Sequence, residues 1–447
     1  MSLCYFVRRF VSPGCSDSYP GHLTFLPDIL DTDNHGLLEL ATLSVAQIAA
    51  FNQYGGDQLL RNAHKNHGRA IRQLRDAINA NTLYPDDKST TAVLMLSAFI
   101  VPAQDVSGEN SGDPKSHASG LYYLLERRGP EQLSTRVGFE LYVLALIRLQ
   151  VYCFIYNDIS YIDPCGISEV LGFLNPIMQA FYMVSRTLKL RHSLLFADRT
   201  AYNSPHNVDG SEFDGAESIK TDEAAILQEC FDALEKFHRW DSEAGDYWKS
   251  TFGDRTEPST LNDPAAATRH FDLETACTMI LVRSGKLMLL DSLLHYHQNK
   301  QQLDPHADTT PLFGENMLSL IEQGVWNTID DMLSCVPYAL GDLDPNGRRR
   351  VLDHDGAGAL VIFQPLRLIT FCLYSKPEQV AACEEVLKRL NTSMGLRSAI
   401  SWTNDPLNDG QLMRPNSSLG DGPFNIVNSE NQKMQDLERD MFDVSLK

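Results

Sequence analysis

Helical hydrophobic periodicity runs through almost the whole 447-residue chain, and this limits it to all-α folds. Residues 36–53 (GLLELATLSVAQIAAFNQ) place Leu37, Leu40, Leu43, Ile48 and Phe51 mostly on one stripe. A polar helix is predicted over 57–81, followed by a buried one in TTAVLMLSAFIV. The longest apolar helix is FELYVLALIRLQVYCFIYNDISYID, predicted to break at Pro164. Two more long helices follow in FDLETACTMILVRSGKLMLLDSLLHYHQ and ENMLSLIEQGVWNTIDDMLSCV, the latter ended by Pro337. Alternating strand patterns are scarce. The expected architecture is all-α, one large domain of packed helix pairs over 21–402. Residues 1–20 read as an N-terminal leader. Residues 403–447 carry eight acids and four bases among Asn, Gly, Ser and Pro, and read as a disordered C-terminal tail. Residues 197–222 and 250–268 read as loops.

Composition narrows the function classes. Lys+Arg 38 against Asp+Glu 58 gives a net charge of −20, which counts against direct nucleic-acid binding, since that needs cations to displace phosphate counterions. The 9 cysteines are odd in number and sit largely in apolar runs without a CxxC pair. That pattern points to a reducing compartment and away from a thiolate zinc site. No stretch approaches the ~18 uninterrupted apolar residues that a membrane span needs. Without GxSxG, a P-loop or GxGxxG after a strand, hydrolase, kinase and nicotinamide chemistry lose their usual support.

Four segments, in order, resemble one known family. HASGLYYLLERRGP is similar to the "H-x-x-G…LL-x-x-RGP" element of the fungal-specific transcription factor regulatory domain. CVPYALG is similar to its "SVPYHLG" element, FQPLRLI to its "WPL" helix and MGLRSA to its closing "G-x-x-x-A" turn. The resemblance covers roughly 36–402 and implies a compact helical domain. The zinc binuclear cluster that usually opens the family is not matched here, because only Cys4 and Cys15 precede the domain. The chain also resembles fungal α-humulene synthases, which use such a domain catalytically. That second resemblance implies a non-standard class I sesquiterpene cyclase, taking farnesyl diphosphate to a humulene-type product with Mg²⁺.

Ionising an allylic diphosphate needs carboxylates to hold Mg²⁺, cations to clamp the leaving group and an apolar, aromatic pocket. Asp158 lies, at helical spacing, on the stripe with Ile147, Val151 and Phe154, and Asp163 lies five residues on, past the expected helix end; both are candidate Mg²⁺ ligands, or else acids at a solvated helix end. Asp330 and Asp331 flank the stripe of Ile321, Val325 and Ile329; they are further metal candidates, although DDMLS falls short of DDxxD/E. Arg148 and Arg283 stand inside apolar stripes, where an Arg needs a partner because it cannot shed its charge. Each is either a diphosphate clamp or half of an internal ion pair, with Glu274 or Asp291 as the expected partner of Arg283. Arg348, Arg349 and Arg350 form the densest basic run, either an anion-capturing loop or a solvated one. Trp326, Tyr152, Phe154 and Phe371 are candidate pocket aromatics.

The catalytic expectation therefore rests on Asp158, Arg148 and Arg283. It takes Mg²⁺ as cofactor and a prenyl diphosphate as partner, and it is compatible with a homodimer and a cytoplasmic location. The alternative is a transcription-factor-like regulatory protein in the nucleus, acting through partners.

Overall fold

The structure, a computed structural model, describes residues 1–11, 22–31, 36–103, 115–202, 223–252, 273–303, 313–344, 349 and 355–396. Helical periodicity becomes fourteen α-helices among these residues. They are α1 (Ser2–Phe10), α2 (Leu26–Ile29), α3 (Leu37–Tyr54), α4 (Asp57–Asn79), α5 (Asp87–Ala103), α6 (Lys115–Arg128) and α7 (Arg136–Tyr156). After them come α8 (Ser168–Leu171), α9 (Pro176–Tyr202), α10 (Glu223–Phe252), α11 (Leu273–Leu303), α12 (Glu315–Ala339), α13 (Asp355–Phe371) and α14 (Pro377–Met394). The described residues contain no strand, only an isolated antiparallel bridge between Leu343 and Arg349.

The helices pack as sequential and crossed pairs, as expected. In one half, α3 lies against α4, α5 and α1. In the other, α11 is sandwiched by α9, α12 and α13. From Ala276 to Leu294 nearly every side chain of α11 is buried, the signature of a helix surrounded by others. The α7 segment Arg136–Phe154 is long and apolar enough to cross a membrane, but neighbouring helices bury most of it, so it serves as a core helix here.

Local chemistry sets several boundaries. The Thr135 hydroxyl caps α7 by accepting the Gly138 N–H at 3.0 Å. Asn157 ends α7 in the left-handed conformation (φ 49, ψ 36), seven residues before Pro164, because Asn tolerates that region. Asp158 therefore lies beyond the helix rather than on its stripe. Helix α12 runs through Pro337 to Ala339. At Gly358 helices α12 and α13 come so close that a Cβ would sit 1.9 Å from the Ala339 carbonyl oxygen.

The N-terminal boundary differs from expectation. Residues read as a leader form α1, and Phe6 and Phe10 are buried against α3 and α13, with their rings stacked at 5.2 Å. Arg8 on the opposite face is exposed, so the arginines that interrupt the apolar run mark amphipathicity. Burying two Phe rings stabilises by about 3–6 kcal/mol, enough to make this helix part of the domain. The expected tail, 403–447, and most of the expected loops lie outside the described residues.

Candidate functional site

A cavity lies between the two halves of the domain. Phe6 and Phe10 of α1, Val45 and Ala49 of α3, Leu94, Met95 and Ala98 of α5, and Leu144 and Ile147 of α7 form its apolar walls. Leu360 and Val361 of α13, with Met394 and Leu396 at the end of α14, close the far side. The concave space is about 680 Å³ and runs out to solvent; only about 40 Å³ is open to the centre of a water-sized sphere. That core would hold about three waters.

Two polar side chains enter these walls, Arg148 and His22. Arg148 sits one turn beyond Leu144 on α7. It makes no hydrogen bond and has no carboxylate partner among the described residues, and its nearest described electrostatic neighbour is His22. Burial pulls its guanidinium down to about 10, which leaves it charged at neutral pH. His22 is driven down to about 3 by burial first and by the Arg148 charge second, so its ring stays neutral. Its Nδ1 is buried with no hydrogen-bond partner.

The segment carrying His22 is held in place from below. Leu23, which is buried and lines the cavity, adopts φ 56, a conformation that costs a branched apolar residue about 1 kcal/mol or more. The next residue supplies the restraint. The Thr24 N–H donates to Glu140 Oε1 at 2.6 Å, and the Thr24 hydroxyl donates to Glu140 Oε2. Glu140 is fully buried on α7, eight residues before Arg148 and so on nearly the same face. Burial raises its pKa to about 7, against the opposing pull of the two Thr24 bonds and the Arg136 charge.

Of the residues singled out in the sequence, only Arg148 lies in this cavity. The carboxyl of Asp158 accepts the Tyr152 hydroxyl at 3.1 Å and the Ser160 N–H at 2.9 Å, as a turn-closing acid would. Asp163 accepts the Ser168 N–H at 2.9 Å and pairs with Lys189 at 3.5 Å. Asp330 accepts the Gln379 side-chain amide at 2.7 Å. Asp331 pairs with Arg283 Nε at 3.2 Å, while Arg283 Nη1 is bonded to Asp241. Burial works against the Arg283 charge, but the Asp241 and Asp331 carboxylates outweigh it, so its pKa ends above the ordinary value. Arg283 is thus half of an internal ion pair; its partners are Asp241 and Asp331 rather than Asp291, and the Glu274 side chain lies outside what the structure describes. Arg349 is exposed, and Arg348 and Arg350 lie outside the described residues.

The candidate aromatics lie outside this cavity, and Phe154 lines a second, smaller one with Val151, Val184 and Leu281. The Trp326 indole donates to the Tyr374 carbonyl at 2.8 Å and lies under Lys376. Phe154 and Phe371 lie under Arg191 and Arg367 respectively. The described residues contain no group of three or more His, Cys, Asp or Glu placed to hold a metal ion. Each acid proposed for Mg²⁺ already answers to a side chain or amide of its own neighbourhood. The donor set therefore does not fit a Mg²⁺–diphosphate centre.

His22 and Glu140 were missed in the sequence. Glu140 stands inside FELYVLAL, and the rule applied to Arg148 finds it: a charged group in an apolar stripe needs a partner. His22 carries no such signal, because its burial comes from a loop folding onto distant helices.

The family model for the fungal specific transcription factor domain matches residues 4–340, three quarters of the chain; of the helices that line the cavity it covers α1, α3, α5 and α7 but not α13 and α14. No curated protein and no solved structure matches the chain.

Proposed function

Because the chain belongs to the family of the fungal specific transcription factor domain, we propose that it is a transcription-regulatory protein that works by binding rather than by making and breaking bonds. The family match over residues 4–340 is the observation that carries this reading. The geometry supports it. The acids and Arg283, which a diphosphate-ionising centre would gather at one mouth with Arg148, stand instead in separate, internally satisfied groups away from it. The cavity beside Arg148 is then the place where the domain would read an effector. Its walls come from both halves of the fold, so an occupant would change how they pack.

The net charge of −20 suits a protein that reaches DNA through partners. Action in the nucleus is part of the reading. The test deletes the gene, measures the transcript profile, and restores the chain. A coherent set of transcripts should change and return with the wild-type chain. Turnover of farnesyl diphosphate by purified protein with Mg²⁺, releasing a cyclic sesquiterpene and diphosphate, would overturn the reading in favour of the cyclase.

A further inference from the structure

We infer that the Arg148 cavity is a binding site for a monocarboxylate with an apolar tail. The inference deepens the regulatory reading by naming the chemistry of its effector, but the site itself stands on the cavity alone.

The argument begins with charge. A guanidinium cannot be neutralised at any physiological pH, and enclosing one without a counter-ion costs several kcal/mol. Arg283, the more buried of the two arginines singled out in the sequence, meets that cost with two carboxylates of the chain. Arg148 meets it with none among the described residues, and none of the described residues lining the cavity is acidic. The site therefore presents a single uncompensated positive charge.

The second step is valence. One fixed positive charge balances one negative charge. A diphosphate would bring surplus charges into apolar walls with nothing to oppose them, whereas a carboxylate brings one. Its planar pair of oxygens matches the guanidinium fork. His22 completes the head-group site. Its ring is held neutral, and its buried Nδ1 lacks a partner. As the Nδ1–H tautomer it donates to a carboxylate oxygen, so one ligand group answers both unmet polar demands.

The third step is the remainder of the ligand. Every other lining side chain is apolar, from Phe6 and Phe10 to Leu360 and Val361. The small open core of about 40 Å³ seats the head group, and the tail follows the concave space towards solvent. An apolar chain there displaces water and buries surface at about 25 cal/mol per Å².

The probe is sodium hexanoate, titrated calorimetrically into the purified full chain, with 1-hexanol as the neutral control. Wild type should bind hexanoate with a Kd of about 1 mM or tighter, within reach of so small a ligand, and at least about tenfold more tightly than hexanol. Arg148→Met should lose hexanoate affinity at least about tenfold while melting at the same or a higher temperature, because it deletes a half-buried charge without a counter-ion. A structural ion-pair arginine would instead lower the melting temperature. Ala98→Leu, which fills the cavity and keeps Arg148, should also abolish binding. Several results would overturn the inference: no binding of hexanoate by wild type up to about 10 mM, hexanoate affinity unchanged in Arg148→Met, hexanol binding as tightly as hexanoate, or Arg148→Met melting well below wild type. None of these touches the transcript profile, so the regulatory reading stands or falls separately.

Discussion

Glu140 offers the most quantitative handle on the site, because one buried carboxyl fixes the segment that brings His22 and Leu23 to the cavity. Its pKa rises from 4.5 to about 7 in the folded chain. Between those values the folded state holds a proton that the unfolded state has lost, so stability falls as pH rises. The contribution is fully present below about pH 4.5 and gone above about pH 7. At 1.36 kcal/mol per unit the whole window corresponds to about 3 kcal/mol. Glu140→Gln mimics the neutral carboxyl. Its amide oxygen still accepts the Thr24 N–H, and its NH₂ can donate to the Thr24 hydroxyl. The variant should therefore escape the pH-dependent loss. From pH 5.5 to pH 8, chosen to stay clear of the pI of about 5.0, its advantage over wild type should grow by about 2 kcal/mol. For a domain this large that is roughly 2–4 °C in melting temperature. Thermal unfolding followed by circular dichroism at the two pH values measures it. Glu140→Ala, which removes both Thr24 bonds, should lose stability at both. A gap between Glu140→Gln and wild type that is the same at both pH values would refute the reasoning, as would a loss in Glu140→Gln equal to that of Glu140→Ala.

Two further substitutions probe the frame around the site. Gly358→Ala drives a Cβ against the Ala339 backbone, which cannot rotate away as a side chain would, so α12 and α13 must separate. A cost of about 3 kcal/mol is expected in chemical denaturation, with exposure of the α13 wall of the cavity. Arg283→Met strands the Asp241 and Asp331 carboxylates, of which Asp241 is the more enclosed. It should destabilise by about 2–3 kcal/mol, most of it through Asp241, because the Asp331 carboxylate is exposed and its pairing is screened by salt. Asp330→Asn keeps an oxygen for the Gln379 amide and should cost less than about 1 kcal/mol by the same measurement, as expected of an acid that serves packing and not metal binding.

The fold was largely legible in the sequence, and the site was so only in part. Periodicity placed α3 and α4 within a few residues, because their apolar positions repeat at helical spacing and their ends carry Gly55, Gly56 and Asp57. It failed at α1, where Arg8 and Arg9 interrupt the apolar run that Phe6 and Phe10 anchor, and at Asn157, whose left-handed turn depends on one backbone angle. The arginine rule found both Arg148 and Arg283. It could not say which was paired, because Asp241 and Asp331 come from α10 and α12, 42 and 48 residues away. The acid candidates failed for the opposite reason. Asp158 and Asp163 are satisfied by groups within ten residues of themselves or by the facing Lys189, local arrangements that periodicity does not encode.

The central claim is that this domain regulates transcription. Its most direct measurement is the transcript profile of a strain lacking the gene, compared with the same strain carrying the wild-type chain. The account predicts a coherent group of transcripts that shifts on deletion and returns on complementation. Profiles that do not differ, together with farnesyl diphosphate turnover by the purified chain in Mg²⁺, would contradict it.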